Sequence, residues 1–173
     1  MSRFDNANWH YLLDVVNCGK SYERVCKMNA YTCPDTGGAY SHRRAKYFGA
    51  YANKQVGMIF EIKAVVEIWK DAGGVKIKWS NVDTDKAILI DEAKKVFRSI
   101  PHLNEEIKKH GIQVFLLENG VETNFSKSTA GGMFGSKLYF ENIGKGCDGS
   151  AELASKLNNK TWENYLTQSK YQQ

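Results

Sequence analysis

KYFGAYANKQVGMIFEIKAVVEIW, residues 46–69, reads as two β-strands joined by a short polar turn. Between residues 56 and 69, Phe60, Ile62, Ala64, Val66 and Ile68 fall on one face, while Glu61, Lys63, Val65, Glu67 and Trp69 fall on the other. A period of two marks a half-buried strand, and this length suits the middle of a sheet. Residues 53–55 form the turn and residues 46–51 the strand before it. After a second turn, Asp71-Ala72-Gly73-Gly74, the alternation of Val75, Ile77 and Trp79 with Lys76 and Lys78 predicts a third strand. Three strands linked in this way predict an antiparallel meander.

Upstream, residues 9–16 fit a helical and a strand face equally well, and a strand is the preferred reading. Ser21 predicts the start of a short helix over residues 22–28, with Tyr22, Val25 and Cys26 inward. Residues 29–40 contain Pro34, Asp35, Gly37 and Gly38 and predict an exposed loop. Downstream, Ala93, Val96, Phe97 and Ile100 share a stripe that predicts a helix over residues 91–100, stopped by Pro101. A shorter helix is expected at residues 104–110, with Asn104 as its cap, followed by a deeply placed strand at 112–117. Glu118-Asn119-Gly120 carries the chemistry of a tight hairpin turn. Ser150 predicts a helix with Leu153, Ala154 and Leu157 inward, and Thr161 a last turn bearing Trp162, Tyr165 and Leu166. Residues 168–173 are expected to fray. The fold class that follows is α+β: a curved antiparallel meander sheet or small barrel with flanking helices.

At 173 residues, with no internal repeat or dividing linker, the chain is expected to be a single domain spanning residues 1–173. With 42% apolar residues it can build a core without metal or disulfides, and Cys18, Cys26, Cys33 and Cys147 match no zinc spacing, so free thiols are expected. No apolar run reaches the roughly 20 residues that span a bilayer, and no signal-peptide pattern opens the chain; a cytoplasmic protein without a membrane partner is the expectation. A net charge of +5 leans toward anionic partners.

The basic run Arg43, Arg44 and Lys46 and the Gly-rich segment with Lys127, Ser128, Thr129, Gly131, Gly132 and Lys137 are the candidate phosphate-binding residues. Lysine and arginine neutralise phosphate, and glycine lets backbone amides approach an anion. Tyr47 and Trp69 are the candidate faces for base stacking. The Gly-rich spacing is not that of a Walker A loop, and no His pair, nucleophile elbow or activated cysteine emerges.

Two resemblances sharpen these readings. The order of elements, with residues 46–69 as an aromatic strand, a turn and a long apolar strand, resembles the PUA-like barrels, the superfamily of ASCH, EVE and YTH domains. That resemblance implies a cleft for nucleic acid or a modified nucleotide, although the ASCH motif G-x-K-x-x-E-x-R is absent. Pro34-Asp35 with Glu61-Ile62-Lys63 resembles the PD-(D/E)XK signature of metal-dependent nucleases. It implies Asp35 and Glu61 as Mg²⁺ ligands and Lys63 as the catalytic lysine. The leading expectation is binding of nucleic acid or a phosphorylated nucleotide with no cofactor. The alternatives are a Mg²⁺-dependent nuclease and a small inhibitor or ligand-sequestering protein.

Overall fold

The computed structural model describes residues 8–133 and 135–170, with side chains described to residue 166. In chain order the elements are β1 (Leu13–Asn17), α1 (Tyr22–Met28), β2 (Ala30–Pro34), β3 (Tyr47–Ala52), β4 (Gln55–Trp69) and β5 (Gly74–Ser80). Then come α2 (Lys86–Arg98), α3 (Leu103–Glu106), β6 (Ile112–Ser126), β7 (Lys137–Phe140), α4 (Ser150–Leu157), β8 (Lys160–Thr161) and α5 (Glu163–Lys170). The protein is α+β, and most of its described strand pairs are antiparallel. The described residues cluster into two compact units. The first comprises residues up to 27, 43–61 and from 119 onward; the second comprises residues 28–42 and 62–118.

In the first unit β3 and the opening half of β4 form the expected antiparallel hairpin, with Asn53 and Lys54 at φ 52 and 65 in the turn. A bulge between Ala50 and Tyr51 bends this pair. The preferred reading of residues 9–16 as a strand is corrected in part: Trp9–Tyr11 is a 3-10 turn, and only from Leu13 does the chain extend. β1 then lies parallel to β3, Val15 opposite Gly49, while its other edge takes β7 antiparallel. Parallel neighbours need a long crossover, and residues 18–46 provide it. Against this ladder pack Leu153, Ala154 and Leu157 of α4 and the aromatic group Phe125, Phe140 and Trp162. These are the inward positions read from the sequence for α4 and for Trp162.

The second unit is built on the remainder of β4 and the first half of β6. β5 pairs antiparallel with β4, with a bulge between Val65 and Val66, which completes the expected meander. Ala64, Val66 and Ile68 of β4 and Ile112, Val114 and Leu116 of β6 are buried under Leu89, Ala93 and Phe97 of α2. α2 begins earlier than the apolar stripe suggested, because Asp85 Oδ1 accepts a hydrogen bond from Ala87 N at 2.8 Å and caps it. α3 is shorter than expected and contains Asn104 within its turn.

Two readings are corrected here. Residues 30–34, expected as loop, form β2, paired antiparallel with β6 from Ala30 opposite Leu116 to Pro34 opposite Ile112. The turn residues that suggested a loop begin only at Pro34, and residues 36–41 are exposed as expected. Asn119-Gly120 does not close a hairpin, because β6 continues to Ser126 with Asn119 at φ 52. Gly120 is there for space: a Cβ would come 2.6 Å from Phe60 Cε1. Of the residues expected to fray, 168–170 extend α5, and 171–173 lie outside the described residues.

Candidate nucleic-acid interface

The basic run enters β3 beside the Trp9–Tyr11 turn. Ala45 is buried, Lys46 N donates to Trp9 O at 2.9 Å, and Tyr47 N donates to Leu12 O at 3.1 Å. Arg44 is thereby held against Trp9. The Arg44 guanidinium lies 4.0 Å from the centre of the Trp9 ring, and Trp9 stacks on His10 at 3.7 Å and 28°. From the other side Gly144 N donates to Tyr11 O at 3.0 Å and carries in Lys145, whose ammonium is 5.8 Å from the Tyr11 ring. Tyr11 is 37% exposed, and His10 and Lys145 are exposed as well. Such cation–ring contacts are worth about 0.5–1 kcal/mol each at exposed sites, enough to orient the cations.

Arg43 and Lys46 flank this patch. Arg43 is 2.6 Å from Glu141 and 5.0 Å from the Tyr139 ring, and its backbone N donates to the Tyr139 hydroxyl at 2.8 Å. Burial, with the charge of Asp14 next, pushes that hydroxyl above its ordinary range and keeps it a neutral phenol. Arg43 is therefore largely neutralised by Glu141, whereas Lys46 Nζ donates to the Asp148 carbonyl at 3.4 Å, which leaves its charge uncancelled by that bond.

The Gly-rich segment holds a cation of its own. Its exposed loop wraps around Lys127, whose ammonium donates to Thr129 Oγ1 at 2.5 Å and to the carbonyls of Ala130 and Gly131 at 3.3 Å each. These oxygens converge on the Lys127 ammonium. Ser128 hydrogen-bonds Glu163 and is the first cause holding that carboxyl below its usual range. Gly132 is exposed, and Lys137 belongs to β7, opposite Val16. The structure thus gathers Arg43, Arg44 and Lys46 in one place and gives Lys127, Ser128, Thr129 and Gly131 to a separate loop, tied to Lys54 and Glu163.

Neither stacking candidate stands in the patch. Tyr47 is fully buried in the first unit's core and offers no face to a base. Its hydroxyl has no hydrogen-bond partner among the described residues, and burial pushes it up to about 12. Trp69 is half-buried in the second unit, its indole lying where a Cβ on Gly74 would be.

The three residues of the nuclease resemblance have separate partners. Glu61 Oε2 accepts from Asn119 Nδ2 at 3.1 Å and from Ser150 Oγ at 3.3 Å, at the start of α4. Lys63 Nζ donates to Glu92 Oε2 at 2.7 Å. Asp35 N donates to Gly111 O at 2.8 Å, and its carboxyl hydrogen-bonds that of Glu67, which burial and then Asp35 push up to about 7. Among the described residues no group of three or more His, Cys, Asp or Glu is placed to hold a metal ion. All four cysteines are free, and burial pushes Cys18 up to about 12, so it remains a thiol.

Trp9, His10, Tyr11 and Lys145 were not among the residues expected at the site. The cluster Trp9-His10-Tyr11 was a visible signal, but the approach of Lys145 depends on pairing between segments far apart in sequence. No described helix is long and apolar enough to cross a membrane. The arrangement defines an α+β protein with a basic, aromatic surface on its first unit. Comparison with protein-family models, curated proteins and solved structures finds no match.

Proposed function

We propose that the surface formed by His10, Tyr11, Arg44, Lys46 and Lys145 binds single-stranded nucleic acid. The observation that carries this reading is the interleaving of cations with rings in one patch, half-buried at Trp9 and Arg44 and exposed at His10, Tyr11 and Lys145: Arg44 on Trp9, Trp9 on His10, and Lys145 on Tyr11. Phosphates require positive charge along a track, and bases require exposed planar faces beside it. An arginine held over tryptophan supplies both, since its guanidinium is itself a stacking surface. The net charge of +5 and the PUA-like resemblance of residues 46–69 support the same reading.

The test is fluorescence anisotropy of a labelled oligothymidine over a range of salt concentrations. The combined variant Arg44→Ala, Lys46→Ala, Lys145→Ala is expected to weaken binding and flatten the salt dependence, by about 0.7 in log–log slope for each phosphate that is no longer neutralised. Tyr11→Ala is expected to cost about 1 kcal/mol with the slope unchanged, as removal of a stacking face without removal of charge predicts. An unchanged affinity and slope in the triple variant would remove this surface from the site. Mg²⁺-dependent cleavage of the oligonucleotide would overturn the reading in favour of catalysis.

A further inference from the structure

The second unit contains a cleft of about 310 Å³ between the Met28–Asn29 segment, α2, β4 and β6. Its apolar wall is Met28, Val96, Leu116 and Leu117. Its polar end is Lys63, Glu92 and Lys95, with the Lys63 side chain only 18% exposed. We propose that this cleft binds a small carboxylate with a short aliphatic tail, the head on Lys63 and Lys95 and the tail on the apolar wall.

Three features argue for an anion of this class. First, two ammonium groups against one carboxylate leave the polar end with a net positive charge. Second, Lys63 has three donors, and Glu92 takes one of them at 2.7 Å, so an incoming carboxylate can share the ammonium without breaking the pair. Lys95, three residues after Glu92 on α2, adds a second cation on the same side of the helix. Third, Lys63 is positioned before any ligand arrives: Glu92 holds its ammonium at 2.7 Å, and its strand is pinned where the Lys63 carbonyl accepts from Asn81 N at 2.8 Å and the Ile62 carbonyl from Asn81 Nδ2 at 3.0 Å. A donor on a strand pinned in this way loses little freedom on binding. The size agrees, because the volume equals that of about ten water molecules, near the lower bound of ligand pockets.

Hexanoate, with about eight non-hydrogen atoms, fits that volume and serves as the probe. ¹⁵N-labelled protein is titrated with sodium hexanoate at constant ionic strength, with 1-hexanol and hexylammonium as partners of equal length. The expected result is a saturable set of shifts centred on Lys63, Glu92, Val96 and Leu116, seen with hexanoate and at least about tenfold weaker with either partner. Lys63→Met, which keeps the stem and removes the charge, is expected to weaken hexanoate about tenfold. Val96→Trp, which leaves the ion pair intact and fills the cleft, is expected to abolish the shifts, and it carries the test if Lys63→Met fails to fold. The proposal is overturned by non-saturable shifts, by an equal response to 1-hexanol or hexylammonium, or by undiminished binding in either folded variant.

Discussion

Glu67 stands opposite Lys76 across the β4–β5 ladder, yet burial and the Asp35 carboxyl hold it up to about 7. Lys78 and Lys76 pull the other way and are outweighed. The sign of the linkage is definite. The folded state binds a proton here that the unfolded chain has already released, so this contribution to stability is complete below about pH 4.5 and is lost as pH rises through about 7. Urea midpoints between pH 4.5 and 8 are therefore expected to fall with pH in the parent protein. Glu67→Gln, which keeps the hydrogen bond and removes the titration, is expected to flatten that fall, and a parallel decline in the two proteins would refute the assignment. The same residue shows why an alternating strand face did not reveal its chemistry. The sequence places Glu67 among Glu61, Lys63 and Trp69, whereas its partner Asp35 follows β2, brought alongside only when Pro34 pairs with Ile112.

At the scale of elements, legibility followed the range of the forces involved. The period of two in β4 and the spacing of Leu153, Ala154 and Leu157 in α4 are local patterns, and both are buried as read, except that Val65, placed on the outer face, is buried beside the bulge. β2 was hidden because Pro34, Asp35, Gly37 and Gly38 dominate a short window, although the strand-forming residues Tyr31 and Thr32 precede them. Asn119-Gly120 misled for the converse reason: a dipeptide suited to turns is used within a strand, where Phe60 leaves no room for a side chain. The parallel pairing of β1 and β3, and the approach of Lys145 to Tyr11, are set by contacts distant in sequence and had no local signature. One local signal was underused. Asp85 caps α2 with a 2.8 Å hydrogen bond from Ala87 N, and Asp85→Ala is expected to cost about 1 kcal/mol in chemical denaturation, with most of the loss in the unfolding rate if α2 docks after the transition state. A change below a few tenths would show that the cap carries no weight.

For the whole molecule, each unit has its own core and its own candidate site, and the two sites share no residue. Independent sites should respond independently. The Arg44, Lys46 and Lys145 triple variant is expected to bind hexanoate as the parent does, and Lys63→Met to bind oligothymidine as the parent does, each within about 0.5 kcal/mol. A larger cross-effect in either titration would mean that the two ligands are thermodynamically linked. The loop closed around Lys127 also bears on proteolysis. An exposed, glycine-rich tip is the kind of place where a chain is nicked, and Lys127 is the residue a trypsin-like protease would seek there. Its ammonium is already surrounded by Thr129 Oγ1 and the loop's own carbonyls, and a protease must withdraw it from them before the acidic specificity pocket can accept it. Limited tryptic digestion is therefore expected to cut after Lys127 more slowly than after the exposed Lys145, and preferential cleavage at Lys127 would refute this sheltering.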